Sequence, residues 1–209
     1  MRTEQKTGGS ERSKDEVVRR LALAGVFAAI TFVAFTFLSI PVPTPGGGKV
    51  TVHVGNAFCV LGSLLLGSYY GGLGGAVGLT LADVIDPMYI SQAPITFVLK
   101  AVMGLIAGEL AHRVFRLEAL SEREKILRAV GISSAAALLF NAVFDPICRY
   151  FYKLLILGKP AAELSLVINV GVTAINSVVS LLLVLALYMA LRGPLRRMGI
   201  GLSSQEKEG

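Results

Sequence analysis

The chain has 209 residues, of which 54% are hydrophobic and only 16% charged, and its mean hydropathy is +0.67. Soluble domains carry about a quarter charged residues, so an ordinary soluble domain is excluded; because the apolar content is spread over several stretches, so is a soluble domain on a single anchor. The formal charge of +6 does not point to nucleic acid, since the basic residues collect at the ends of apolar stretches, where they meet the headgroups of a lipid bilayer.

Residues 1–16 are polar and are expected to form a disordered cytoplasmic N-terminus. No early apolar core followed by small residues marks a secretory signal, so the first apolar stretch is expected to be retained. The membrane domain then occupies residues 17–192, with a basic cytoplasmic tail over 193–209. Apolar segments fall at 17–40, 54–68, 71–86, 93–115, 125–152 and 165–192. A span needs about 20 apolar residues, with about 17 the usual lower limit. The second and third are therefore short, and "GSYYGG" is the expected turn between them. The fold class is an all-α integral membrane protein of six transmembrane helices.

Lys and Arg fix the orientation. With six spans, fifteen of them fall on the side of the two termini and the 113–128 loop, and five on the other. Both termini are then cytoplasmic, and residues 41–53, 87–92 and 153–164 face outward.

The first outer loop, "PVPTPGGGKVTVHVGN", holds three prolines that forbid regular helix and three consecutive glycines that open backbone conformations closed to other residues. Its length suits a lid as well as a plain connector. His53 within it reads as a hydrogen-bonding loop residue rather than a metal ligand, and Asn56 at its end is a candidate solute contact.

In the following spans Gly67, Gly71 and Gly75, and again Gly74 and Gly78, are four apart, leaving a helical strip without side chains. The first span offers a similar face at Ala24 and Ala28, or at Gly25 and Ala29. Such strips let helices approach closely in lipid, within one chain or between two. Cys59 and Cys148 lie in or beside apolar spans and read as small apolar residues.

Three later spans carry polar stripes in their outer halves: Thr96 and Lys100; Asn141, Asp145 and Arg149, with Tyr152 beside them; and Asn169, Thr173 and Asn176. A charge near the bilayer centre costs about 2.5–3.5 kcal/mol on insertion scales, so such groups face a partner, water or a ligand. Turned toward one another, the stripes form a polar solute pocket open to the outside. The alternative is an internal network in which Asp145 neutralises Lys100 or Arg149. Asp83 and Asp86, with no nearby His, read as helix-end or loop-anchoring residues, and no metal or cofactor is expected.

The small-residue first helix, the proline and glycine loop, the Gly-rich second turn and the Thr-x-x-x-Lys of "APITFVLKAVMGLIAG" together resemble the substrate-binding S component of energy-coupling-factor (ECF) transporters, riboflavin-transporter type, over residues 17–192. The resemblance implies a six-helix protein of the prokaryotic plasma membrane. It would capture a vitamin or related small molecule, riboflavin-like, pyridoxine-like or a pyrimidine precursor, from outside. A transmembrane T component and two cytoplasmic ATPases would drive uptake, the T component meeting Ala24 and Ala28 on the first helix. No P-loop is present in this sequence, so it is expected not to be an enzyme. Two rival classes are a stand-alone secondary transporter of a small polar solute, which would more often show an internal repeat, and an intramembrane enzyme, which would need a nucleophile–base or metal constellation.

Overall fold

The computed structural model describes residues 4–44, 48–158 and 162–197. Gly46 and Gly47 of the glycine triplet, Lys159 and the end of the basic tail lie outside them. The elements are α1 (Glu4–Phe37), β1 (Ser39–Thr44), β2 (Gly48–His53), α2 (Gly55–Leu66), α3 (Leu73–Ile85), α4 (Ala93–Glu109), α5 (Arg123–Phe151) and α6 (Ala162–Arg197).

Among the described residues, four stretches are long and apolar enough to cross a membrane: Lys14–Phe37, Ile90–Val114, Arg123–Ile156 and Leu166–Arg197. Their outward faces present Val26, Ile30 and Val33 on α1, Leu139 and Val143 on α5, and Val178 and Leu182 on α6, all exposed. That is where lipid takes the place of water. α2 and α3 hold 12 and 13 residues, about 18–20 Å at 1.5 Å per residue, against an apolar bilayer core of about 30 Å.

α2 is short and apolar because it is the centre of the bundle. Every residue in it except Phe58 is buried, and its Ala57, Val60, Leu61 and Leu64 meet Leu79, Met103, Val130, Leu138 and Val184 from four surrounding helices. The chain reverses between α2 and α3 where "GSYYGG" was expected to turn. Gly67 ends α2 at φ 90°, a backbone region that L side chains rarely adopt, and a π-helical turn over Ser68–Gly72 leads into α3.

Two features add to the sequence reading. α1 begins at Glu4 and runs unbroken to Phe37. It contains no proline, and Glu16 pairs with Arg20 one turn on. The first outer loop, non-helical as its prolines require, is a hairpin: β1 and β2 pair antiparallel, with Val42 opposite Val50 and Ser39 opposite His53, as the only sheet among the described residues. Proline is tolerated on β1 because a two-stranded ribbon leaves one edge of each strand without ladder bonds.

The glycine strips are internal packing surfaces. A Cβ added at Gly71 would stand 1.9 Å from the Gly62 carbonyl oxygen, one at Gly75 2.5 Å from Cys59 Cα, and one at Gly104 2.5 Å from Gly72 Cα. α1 joins the same contact: a Cβ at Gly74 would meet the Ala24 carbonyl oxygen at 2.7 Å, and one at Gly78 the Ala28 carbonyl oxygen at 2.2 Å. Backbone therefore lies on backbone across α1, α2, α3 and α4.

Gly71→Ala is expected to lower the melting temperature of the detergent-solubilised protein, with an overpacking cost of about 1–3 kcal/mol. Gly131→Ala, where the nearest atom is 3.8 Å away, should be neutral or stabilising by up to about 1 kcal/mol, since alanine loses less backbone freedom in a helix. Equal losses at both positions would show that the tight glycine contact does not hold the bundle.

Candidate solute-binding site

The four-residue spacings put each polar stripe on one helical face, and the bundle turns the three faces inward. Asn56, Thr96, Lys100, Asn141, Asp145, Arg149, Asn169, Thr173 and Asn176 all line one cavity of ≈ 60 Å³. All but Arg149 are buried.

Asp145 is the hub of the site. One carboxylate oxygen accepts from Lys100 Nζ at 2.9 Å and the other from Arg149 Nε at 2.7 Å, so α4 and α5 are joined by a bridged ion triad. Lys100 also donates to Asn141 Oδ1. Arg149 reaches on with Nη2 to Thr96 Oγ1 at 2.9 Å, and the Thr96 hydroxyl in turn donates a hydrogen bond to Asp83 Oδ2. Gln92 Oε1 faces Arg149 Nη1 at 3.4 Å. The internal network that the sequence left as the alternative is therefore formed, and it is also the wall of a cavity.

Asp83 stands in the last turn of α3, as a helix-end residue, and its side chain is also buried in the cavity wall with Thr96, a role the sequence did not show. Asp86 does serve the loop, accepting from Lys49 Nζ at 2.7 Å and from the Met88 N–H at 2.9 Å. Although partial burial acts the other way, these bonds and the Lys49 charge hold its carboxyl below the usual range. Tyr152 donates to the Ser91 carbonyl, which ties α5 to the start of α4.

The hairpin covers this site. Asn176 on α6 accepts from the His53 N–H at 3.0 Å and donates to the Thr51 carbonyl at 3.0 Å, so its amide substitutes for a neighbouring strand. On the other flank Tyr89 donates to the Lys49 carbonyl and shares a 2.9 Å bond with Thr51 Oγ1. Burial pushes the Tyr89 hydroxyl up to about 12, which keeps it a donor. Outside this latch a second cavity of ≈ 520 Å³ opens between the hairpin and the α3–α4 connection, sharing Phe35, Lys49, Thr51 and Tyr89 with the inner one.

His53 accepts from the Gly55 N–H and packs edge-on against Phe35, with ring centroids 4.4 Å apart. Burial first, then the Lys100 charge, pushes its imidazole down to about 3. The sequence read His53 as a hydrogen-bonding loop residue but not as a cavity wall. Alternation of Val50 and Val52 with Thr51 and His53 was the available signal for the strand, masked by the prolines before it. Among the described residues no group of three or more His, Cys, Asp and Glu is placed to hold a metal. Cys59 is buried, as a small apolar residue would be.

Ala24 and Ala28 lie half-buried on the side of α1 that meets the glycines of α3, whereas Gly25 and Ala29 are exposed and a Cβ at Gly25 would meet nothing within 4 Å.

A buried charge network around a polar cavity, set in a bundle with lipid-facing helices and roofed by a hairpin, defines a multi-pass membrane protein built to hold a solute. A family model described as ECF-type riboflavin transporter, S component, matches residues 16–193. The chain belongs to that family of transporter S components, which are not themselves enzymes. No curated protein and no solved structure matches it.

Two measurements bear on the network. Asp145→Asn leaves Lys100 and Arg149 without their counter-charge and is expected to cost about 3–5 kcal/mol of stability in the ligand-free protein. An unchanged melting temperature would mean that the triad is dispensable. For His53 the folded state holds the imidazole neutral far below its ordinary value of about 6.5. Protons then favour the undocked hairpin, and stability present above that value is lost as pH falls from about 6.5 toward the folded value of about 3. Melting should fall between about pH 7 and about pH 5 in the natural protein and less steeply in His53→Gln; parallel pH profiles would refute the assignment.

Proposed function

We propose that the protein is the solute-capturing subunit of an ECF-type importer in a prokaryotic plasma membrane. It takes up a vitamin or related small molecule from outside and delivers it by assembling with a transmembrane T component and two cytoplasmic ATPases. The observation that carries this reading is the hairpin-roofed polar cavity, lined by residues of α4, α5 and α6, in a chain of this family.

In this reading the chain crosses the membrane six times with both termini inside. α2 and α3 act as short spans that neighbouring helices shield from lipid. The distribution of Lys and Arg, fifteen against five, favours it, and it puts the hairpin and the cavity mouth on the outside. The substrate contacts are Asn56, Thr96, Lys100, Asn141, Asp145, Arg149, Asn169, Thr173 and Asn176, with Asn176 acting through the hairpin it holds. The T component seats on the small-residue side of α1 around Ala24 and Ala28, reaching them across the exposed Gly25 and Ala29.

A Cys148→Ser background removes the half-exposed native thiol. In it, Pro43→Cys is expected to react with an impermeant thiol reagent on intact cells and Ser121→Cys only after lysis. In the same cells, co-expressed T component and ATPases should confer ATP-dependent uptake, and Ala29→Leu should abolish their co-purification without lowering the melting temperature. Reversed labelling would overturn the topology, and uptake independent of ATP would favour a secondary transporter.

A further inference from the structure

The inner and outer cavities lie on either side of one layer of side chains. Phe35, Lys49, Thr51 and Tyr89 line both the inner one of ≈ 60 Å³ and the outer one of ≈ 520 Å³. Only the outer one falls within the roughly 300–1,000 Å³ of small-molecule sites, so a solute has room outside this layer before it has room within. The layer is closed at Tyr89. Its hydroxyl donates to the Lys49 carbonyl at 2.9 Å, and because that takes its one proton, it accepts from Thr51 Oγ1 at 2.9 Å.

The hairpin is fastened unequally. At its base, where Ser39 faces His53, β1 follows α1 after Leu38 alone, β2 enters α2 through Val54 alone, and the buried Asn176 amide bonds to the His53 N–H and the Thr51 carbonyl. Nearer the tip, where Thr44 faces Gly48, the fastenings are side chains: Tyr89, and the Lys49–Asp86 pair at 2.7 Å, whose side chains are 30% and 28% exposed. Water competes for such a pair. The opposing turn is stiff, since the Asp86 carbonyl accepts from the Tyr89 and Ile90 N–H groups at 2.9 Å and its carboxylate from that of Met88. Displacement therefore falls to the hairpin tip, which lifts from Tyr89 about its base and joins the two cavities. The wall of the outer cavity also states what it admits. Its charged residues, Lys49 and Asp86, are bonded to each other, and the hydroxyl residues Ser39 and Thr51 stand beside the apolar Pro41 and Ile85. That mixture suits an organic solute without net charge, with both apolar and hydrogen-bonding surface.

We infer that the outer cavity is a second site on the solute's path, the antechamber through which the inner cavity is filled from the α3–α4 flank, and that Tyr89 governs passage between the two. This rests on the solute-capturing reading above, which supplies a solute to admit.

The test reads access to the inner wall with a thiol, on full-length protein in lipid nanodiscs. In a Cys148→Ser background, Thr173→Cys puts the thiol in that wall, with Asn169→Cys as the alternative if it does not fold; the parent, whose remaining Cys59 is buried in the core, gives the background. Modification by the small neutral reagent methyl methanethiosulfonate is followed by mass spectrometry. Tyr89→Phe, which deletes both hydroxyl bonds, should raise the rate by about tenfold, because access follows the population of the open form. Ile85→Trp, which fills the outer cavity from an exposed position, should lower it to a similar degree, and Pro41→Trp gives the same reading if Ile85→Trp does not fold. The anionic sulfonatoethyl analogue, with each reagent normalised to its rate on Ser121→Cys, should be slower than the neutral one. Rates unchanged in Tyr89→Phe or in both tryptophan variants, an anionic reagent as fast as the neutral one, or Cys59 gaining reactivity in step with the introduced thiol would overturn the inference. Co-purification of the T component and ATPases with the natural protein keeps the two readings apart: its absence counts against the S-component assignment, whereas unchanged thiol rates with co-purification intact count only against the antechamber.

Discussion

Asp145 carries the constraint on which the site rests. An isolated carboxylate, ammonium or guanidinium inside an apolar bundle is costly. Here the cost is offset because one carboxylate serves two cations, 2.9 Å from Lys100 and 2.7 Å from Arg149. From that triad the bonds run outward in an order each partner's chemistry dictates. The guanidinium, a donor only, goes to Thr96 and Gln92; the Thr96 hydroxyl, having accepted, donates to Asp83. Residues of α3, α4 and α5 are thus held at fixed separations around one small space.

Such fixed separations need helices that can come close, and the glycines supply this. Where Gly71 faces Gly62 and Gly72 faces Gly104, nothing but backbone separates the elements. In lipid, burial of apolar side chains gives little net drive for helices to associate, so close packing of small residues carries more of the load. The two devices divide the molecule: small residues bind α1, α2, α3 and α4 together, and charges fasten α5 to α4 around the cavity. The hairpin relies on neither the glycine contacts nor the Asp145 triad. It hangs on Asn176 at one flank and on Tyr89 and the Lys49–Asp86 pair at the other, all bonds that a small displacement of the roof would release.

The stripes on α4, α5 and α6 were legible because a four-residue repeat of polar groups in an apolar span has few explanations and identifies its own face. The glycine repeats were legible as contact surfaces for the same reason, and the structure adds which helix each one meets. Asp83 was not legible: it sits at the end of a short helix, where a carboxylate ordinarily faces water, and its partner Thr96 lies on another helix. The hairpin was hidden by Pro41 and Pro43, which usually argue against a strand and are tolerated only because β1 has a single partner. Span counting also met its limit at α2, since a central buried helix and a lipid-crossing one are both apolar, and only length separates them.

The cavity also shows how a solute site can exist in an apolar bundle without a solute in it. A protein that needed its ligand to neutralise buried charges would be unstable whenever empty, and an importer subunit must be empty once per cycle. Here the expensive groups satisfy one another: Asp145 answers Lys100 and Arg149, and Thr96 links Arg149 to Asp83. Among the described residues, the fully buried wall atoms without partners are neutral amide atoms, Asn56 Oδ1 and Asn141 Nδ2. An unpaired neutral amide costs far less than an unpaired charge, so the empty state survives. The most conspicuous groups in the site, the charges, thereby hold α4 and α5 in place around the cavity whether or not it is filled.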